Sequence, residues 1–261
     1  MTEAPPAGIR NVAVVMPAHD EEQRLGRALT GLRGALDTLE VEHPGVGVSV
    51  TVVLDNCADN SKEICTAFSA GDPRFCNVTV KLRSAGASRD YGVRTALDGL
   101  QPPGTETGAG PETGAGPETV WLANTDADST VPRHWLVRQV DLANNGADAV
   151  LGSVEPDPAD VDPAVLGRWL ALHPFREDHS HIYGANLGIR ASAYLAAGGF
   201  PLVRSHEDRG LVERLRRHGF TVTSTDSIRV VTSGRTEARA PQGFAAYLRG
   251  LGAELPAAAR G

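Results

Sequence analysis

Short apolar runs alternate along the first hundred residues with longer stretches in which apolar positions recur every three or four residues. The runs are nearly unbroken, as in strands buried on both faces, and they predict strands at Val12–Met16, Val48–Leu54 and Val78–Val80. The longer stretches have the spacing of amphipathic helices. They predict a helix that begins near Asp20 and is capped by its carboxylate, a second that ends near Ala70, and a third over Ala87–Leu100.

The same alternation returns after a break near the middle of the chain. Strands are predicted at Val120–Ala123, Ala147–Val154, Tyr183–Ile189, Phe220–Thr223 and Ile228–Val231. Helices are predicted at Pro132–Asn145, at Pro163–Leu172, in a short segment ending at Ala197, and at about His206–His218. Alternating strands and helices favour a mostly parallel sheet with right-handed crossovers. The predicted fold class is therefore α/β, with helices on both faces of a mixed sheet in a single domain.

The break covers residues 101–119 and contains a tandem hexapeptide, Thr107–Glu112 followed by the same residue types in Thr113–Glu118. Gly, Ala, Pro, Thr and Glu offer little to pack, so this segment is predicted to be a disordered surface loop. Residues 1–10 are predicted to be flexible. The tail, residues 234–261, is predicted to end in a short, weakly amphipathic helix through Phe244, Tyr247, Leu248 and Leu251.

Composition narrows the function classes. With 261 residues the chain can bury one large core, and no apolar run approaches the roughly 18 to 20 residues of a membrane span. A formal net charge of −7 argues against a nucleic-acid partner. The cysteines, Cys57, Cys65 and Cys76, have no metal-ligand spacing, and the N-terminus lacks the pattern of a signal peptide. A cytoplasmic location is predicted.

The most informative chemistry is a pair of acids, Asp126 and Asp128, directly after the apolar run Val120–Ala123. Ser129, Thr130 and Pro132 predict that the strand breaks there, which lets the two carboxylates converge. Mg²⁺ and Mn²⁺ take one or two carboxylates, and substrate phosphates and water complete the shell. A turn with a helix cap behind it is the alternative interpretation of the acid pair alone.

Four segments occur in an order that carries a family resemblance: Val15–Glu22, Val53–Asn60, Asp126–Asp128, and Gly198–Phe200 followed by Glu207–Leu211. This set resembles the family 2 inverting glycosyltransferases of GT-A fold over roughly residues 10–233. The resemblance implies a GT-A domain at 11–233, divided into a nucleotide-binding half at 11–128 and an acceptor half at 129–233.

The resemblance also implies contacts with a nucleotide-sugar donor. Pro17, Ala18 and Glu22 match the motif that lines the base and ribose. Asp55 matches the acid that ends the second strand and contacts the base. Arg89 matches a basic residue near the diphosphate, although a solvated helix charge is the alternative.

The resemblance also implies which residues bind the metal and which residue is the catalytic base. Asp126 and Asp128 match the acids that hold Mg²⁺ or Mn²⁺, and Asp126 is expected to contact the nucleotide as well. Asp208 matches the catalytic base, although an acid in the first turn of a helix is also favoured by the helix dipole alone. The chain departs from the family at Asp20, where Asn is usual, and near Thr232, where some relatives carry a histidine that completes the metal shell.

The predicted function is transfer of a hexose from a nucleotide-diphosphate sugar to an acceptor hydroxyl, with metal dependence and inversion by a single displacement. Nucleotidyl transfer is an alternative, but the segment after the first strand lacks the glycines of a phosphate loop. A non-catalytic module that binds a nucleotide sugar is a further alternative. The sugar, base and acceptor stay open, as do the roles of His173, His179, His181, Arg235 and Arg239. If the acceptor is a lipid, the tail helix is a candidate for peripheral contact with a membrane. The alternative is that this helix packs on the domain.

Overall fold

An eight-stranded sheet runs through the part of the chain that the computed structural model describes, namely residues 7–100, 116–201, 203, 206–236 and 243–254. Its strands are β1 Asn11–Ala18, β2 Gly47–Asp55, β3 Phe75–Val80, β4 Val120–Asn124, β5 Ser129–Thr130, β6 Ala149–Pro156, β7 Leu187–Arg190 and β8 Val222–Thr232. The helices are α1 Leu25–Glu42, α2 Ser61–Gly71, α3 Ala85–Gly99, α4 Trp135–Asn144, α5 Pro163–Leu172, α6 Ala191–Ala196, α7 Glu207–Arg217 and α8 Phe244–Ala253.

The strand order is β3-β2-β1-β4-β7-β6-β8-β5. Strands β1 to β4 are parallel to one another, and β8 is parallel to β6. Strand β7 is antiparallel to both β4 and β6, and the short β5 is antiparallel to β8. The predicted mostly parallel mixed sheet is confirmed. The carboxyl ends of β1, β2 and β4 therefore meet at one edge, where ligands settle in open α/β sheets.

Both faces of the sheet are buried beneath helices, as predicted. Residues Val12, Val14 and Met16 of β1 face the layer formed by α1, α2 and α4. Their neighbours Ala13 and Val15 face the opposite layer, formed by α3, α6 and α7. This alternation explains the unbroken apolar run in the sequence, since successive residues of a strand point to opposite faces.

The prediction that the first helix begins near Asp20 is wrong. Helix α1 begins at Leu25, and its N-cap residue, Arg24, makes no side-chain capping bond. Asp20 has a left-handed backbone conformation, and its carboxylate accepts hydrogen bonds from the backbone N–H of Ala58 at 2.6 Å and of Asp59 at 3.3 Å. The carboxylate is used to join the loop after β1 to the loop after β2, so it cannot cap α1.

Three smaller differences concern the second half. The two predicted strands near Phe220 and Ile228 form one strand, β8, because the chain runs continuously beside β6 through an irregularity at Gly152. The segment predicted as a strand from Tyr183 begins with a 3-10 turn, Gly184–Asn186. Helix α4 begins at Trp135 instead of Pro132.

The predicted disordered loop lies only partly within the described residues. Its end, Pro117–Thr119, forms a 3-10 turn whose Thr119 carbonyl accepts a hydrogen bond from the Arg10 N–H at 2.8 Å. The N–H of Ile9 donates to Asn144 Oδ1 at 2.8 Å. Residues 1–6 and 101–115 lie outside the described residues, so the predictions made for them stay predictions.

The tail helix packs on the domain. Leu248 and Leu251 of α8 are buried against Val165 and Trp169 of α5. Within the described residues, no helix combines the length and the apolarity needed to cross a bilayer.

Asn186 joins three elements in the centre of the fold. Its Oδ1 accepts a hydrogen bond from Trp135 Nε1 at 2.9 Å, and its Nδ2 donates to the carbonyls of Ser153 and Ile228, each at 2.8 Å. We expect Asn186→Ala to lower the free energy of unfolding by about 3 kcal/mol, because buried polar groups that lose their partners cost about 1–3 kcal/mol each. Urea denaturation measures this. Asn145→Ala, at an exposed asparagine whose Nδ2 donates to the Asp141 carbonyl at 2.8 Å, should cost at most about 1 kcal/mol.

Candidate active site

The sequence-predicted residues gather at the carboxyl edge of the parallel strands. Pro17 and Ala18 end β1 in register with Val53 and Leu54 of β2, and Asp55 is the next residue of β2. Asp126 and Asp128 lie in the short loop between β4 and β5. The candidate residues at the ends of β1, β2 and β4 therefore lie at the same edge of the sheet.

The two acids of the pair differ in their surroundings. The Asp126 side chain is 33% exposed, and its Oδ1 accepts a hydrogen bond from Arg89 at 2.6 Å. The Asp128 side chain is 14% exposed and lies 3.1 Å from the Arg235 guanidinium. Burial, and then the charge of Asp126, raise the pKa of Asp128 to about 6, although Arg235 opposes the shift.

The donor set of this pair fits a hard divalent cation. Two carboxylates with one side open to solvent supply oxygen ligands, which Mg²⁺ and Mn²⁺ prefer. Thr232 directs its hydroxyl to Asp128 Oδ1 at 3.4 Å and accepts from Ser129 Oγ at 2.8 Å. Thr232 thus supports the orientation of Asp128.

Asp55 is held by four donors. Its two carboxylate oxygens accept from the N–H groups of Leu82, Arg83 and Ser84 and from Ser88 Oγ, at 2.7 to 3.1 Å. Burial alone would raise its pKa, but these hydrogen bonds lower it below the usual value. The carboxylate fixes the loop between β3 and α3, and direct contact with a nucleotide base stays a prediction.

An open cavity of about 830 Å³ lies between the loops after β1 and β2 and the segment after β8, and its lining residue Arg235 contacts Asp128. Its lining includes Glu22, whose Oε2 accepts from the backbone N–H and side-chain Nδ2 of Asn60 at 3.1 and 2.7 Å. Arg235 also lines it and binds both oxygens of Glu21 at 2.9 and 2.8 Å. The Glu21 side chain is therefore buried against Arg235.

A second acidic group lies in the same cavity wall. Asp20, Cys57 and Asp59 have ligand-type atoms within 4.8 Å of one another. The carboxylates of Asp20 and Asp59 accept from backbone N–H groups of Ala58, Asp59, Glu22 and Ser61, which explains their proximity without a cation. Asp20 and Asp59 therefore hold the loop after β1 and the loop after β2 together.

Asp208 reaches the same edge from the other half of the domain. It lies in the first turn of α7, and its Oδ2 accepts a hydrogen bond from the N–H of Gly184 at 2.8 Å. Arg89, in α3, connects the two halves because its buried guanidinium contacts both Asp126 and Glu207, the neighbour of Asp208. The structure thus brings the acid pair, Arg89 and Asp208 together.

The histidines belong to an aromatic cluster between α5 and α8. The ring of His173 stacks on Trp169 at 3.6 Å between centroids, and His181 lies 4.8 Å from His173. Burial lowers the pKa of both histidines. His179 is buried, and neither of its ring nitrogens has a hydrogen-bond partner within the described part of the chain. Arg239 lies outside that part.

Two contacts of the site could not be found by sequence reasoning. The pairs Arg89–Glu207 and Glu21–Arg235 join residues 118 and 214 positions apart. The only signal for them is the residue type, an arginine or an acid near a recognised motif.

No model of a known protein family and no curated protein matches the sequence. Solved structures do match. The mannosyltransferase PcManGT from Pyrobaculum calidifontis, in complex with GDP-Man and Mn²⁺, has a TM-score of 0.58 at 16% identity, over 90% of this chain and 60% of that chain. S. aureus TarS has a TM-score of 0.55 at 12% identity, over 86% of this chain and 37% of that chain.

A third match is glucosyl-3-phosphoglycerate synthase from M. tuberculosis, with a TM-score of 0.51 at 13% identity, over 93% of this chain and 81% of that chain. One structure of that enzyme contains Mn²⁺, UDP-glucose and glycerol 3-phosphate. The chain thus spans less than two thirds of the length of two of these three proteins. At such low identities the matches establish architecture alone, and the architecture is that of the GT-A glycosyltransferases.

Proposed function

We propose that the protein is a metal-dependent, inverting glycosyltransferase that moves a hexose from a nucleoside-diphosphate sugar to an acceptor hydroxyl. The observation that carries this proposal is the contact of Arg89 with both Asp126 and Glu207. It supports a single site in which the acid pair and Asp208 work on the same substrate.

On this proposal Asp126 and Asp128 hold Mg²⁺ or Mn²⁺ beside the cavity lined by Glu22 and Arg235. A cation bound there supplies Lewis-acid stabilisation to the departing nucleoside diphosphate. Pro17, Ala18 and Glu22 face the base and ribose, and Asp55 keeps the adjoining loop in place. The named contents of the similar structures, GDP-Man and UDP-glucose with Mn²⁺, favour a donor of this class.

Asp208 takes the proton of the acceptor hydroxyl as its oxygen attacks the anomeric carbon. Its carboxylate is half-buried and oriented by the Gly184 N–H, which leaves a lone pair for the acceptor. An ionised carboxylate acts during the transition state and does not need to deprotonate the alcohol beforehand. Attack by the acceptor without an enzyme nucleophile inverts the anomeric centre.

Incubation with UDP- and GDP-sugars, with and without Mn²⁺, tests the proposal. Release of a nucleoside diphosphate together with a glycoside of inverted configuration is the expected result. Release of pyrophosphate would instead identify a nucleotidyltransferase, and donor binding without turnover would identify a binding module.

The raised pKa of Asp128 gives the metal site a pH dependence. A metal ligand must be deprotonated, and a carboxyl group with a pKa of about 6 becomes protonated as the pH falls below that value. We expect the apparent affinity for Mn²⁺ to fall about tenfold for each pH unit below 6 and to be nearly constant above pH 7. Isothermal titration at pH 5 to 8 measures this, and a flat profile contradicts it.

A further inference from the structure

One buried guanidinium, that of Arg89, lies between the acid pair and the helix that carries Asp208. The Arg89 side chain is 5% exposed and donates to Asp126 Oδ1 at 2.6 Å and to Glu207 Oε1. Asp126 and Glu207 both contact this guanidinium, and Asp208 follows Glu207 directly in the chain. Its charge is thus balanced by acids of the protein and is withdrawn from solvent.

Two glycines shape the space around this contact. A Cβ atom at Gly184 would lie 2.7 Å from Arg89 Cζ, and a Cβ atom at Gly86 would lie 2.6 Å from Glu207 Cγ. A side chain at either position would displace the ion pair. Gly184, which packs on Arg89, also orients Asp208, because its N–H donates to the Asp208 carboxylate at 2.8 Å.

We propose that Arg89 and Glu207 are positioning residues: Glu207 holds Arg89, and Arg89 fixes Asp126 at a set distance from Asp208. The proposal rests on the proposed function. It differs from the expectation that Arg89 contacts the donor diphosphate, because a guanidinium that is buried and contacts two carboxylates of the protein presents little surface to a ligand.

The residue types suit this role. The planar guanidinium of arginine serves two carboxylates in a fixed geometry, whereas the ammonium of lysine is a point charge on a flexible stem. Partners that orient a metal ligand typically change metal affinity or activity 10- to 100-fold when they are replaced. A shift of Asp126 relative to Asp208 also misaligns the leaving group and the attacking oxygen, so turnover is lost together with affinity.

The test is a Mn²⁺ titration of the full chain, read by thermal shift in the presence of UDP or GDP, with kcat and KM measured in parallel. Arg89→Lys keeps the charge and removes the two-carboxylate geometry. We expect it to raise the Mn²⁺ concentration for half-maximal shift about tenfold or more and to lower kcat. Glu207→Gln should do the same. Exposed residues on the same helices provide matched controls, since Arg94→Lys and Glu213→Gln should stay within about twofold of the parent.

Charge alone predicts a different pattern, because Arg89→Lys would then leave Mn²⁺ affinity unchanged. Both substitutions act through one contact, so the double variant should lose less than the product of the two single losses. Unchanged or tighter Mn²⁺ binding in folded Arg89→Lys protein, or strictly multiplicative losses, overturns the proposal. If circular dichroism shows that Arg89→Lys does not fold, Glu207→Asp replaces it in the test. Glu207→Asp keeps the negative charge but has a shorter side chain, and unchanged Mn²⁺ binding in that variant would likewise overturn the proposal.

The outcomes also separate this proposal from the one on which it rests. A parent protein that binds no Mn²⁺ with either nucleotide overturns both. A parent that binds Mn²⁺ and transfers sugar, while the variants bind it equally well, overturns the positioning role alone.

Discussion

Asp208→Asn is expected to lower kcat by about 10²–10⁴-fold, the usual contribution of a general base, while donor and Mn²⁺ binding stay near parental values. Asparagine has the same shape as aspartate, and its amide oxygen can still accept the hydrogen bond from the Gly184 N–H. The Arg209 N–H, which donates to the other carboxylate oxygen at 2.7 Å, is exposed and can bond to water instead. The variant should therefore fold normally and lose only the group that receives the acceptor proton.

Steady-state kinetics at saturating donor measures the loss, and thermal shift with Mn²⁺ and nucleoside diphosphate checks binding. Asp98→Asn, at an exposed aspartate in α3, is the matched control and should leave kcat unchanged. Near-parental turnover of Asp208→Asn would mean that another residue is the base.

Asp128→Asn is expected to abolish the dependence of nucleotide binding on Mn²⁺. Replacing an outer-shell partner already costs up to about 100-fold in metal affinity, so loss of a direct ligand should cost at least that. Asparagine retains an oxygen near the hydroxyl of Thr232, but it lacks the negative charge that a divalent cation requires. Asp126→Asn should give the same result, because the two acids form one site.

The metal-free Asp128→Asn protein should not melt at a lower temperature than the parent at pH 7. Since the folded protein raises the pKa of this carboxyl group to about 6, its ionisation at pH 7 works against folding, and a neutral side chain removes that cost. Equal Mn²⁺-dependent binding in the variant and in the parent would contradict the metal assignment.

Much of the fold was predictable because its signals are local. The strands β1, β2 and β4 are buried on both faces, so burial alone dictates the apolar runs that predict them. Helix α5 occupies the predicted residues Pro163–Leu172, since Asp162 caps it and proline opens it. Helix α1 was placed wrongly because the carboxylate of Asp20 has a better partner far away in sequence, the N–H of Ala58.

The candidate site, like the fold, was predictable where its signals are local and unpredictable where distant residues meet. The candidate residues were found through the resemblance of four segments, in order and spacing, to the motifs of one enzyme family. The ion pairs that connect those residues join distant parts of the chain, and hydrophobic periodicity contains no information about them. Arg89 illustrates this: the resemblance implies a place near the diphosphate, which stays a prediction, but it gives no sign of the contact with Glu207, 118 positions away.

The two-residue strand β5 has a consequence for the order in which the site is assembled. Among the strands that the structure describes, it pairs with the end of β8 alone, where Ser129 faces Thr232, and that contact braces the loop that carries Asp128. While the chain emerges from the ribosome, both acids are therefore synthesised about a hundred residues before the strand that braces them. On the proposed function, we therefore expect the acid pair to reach its cation-binding geometry only after β8 has docked.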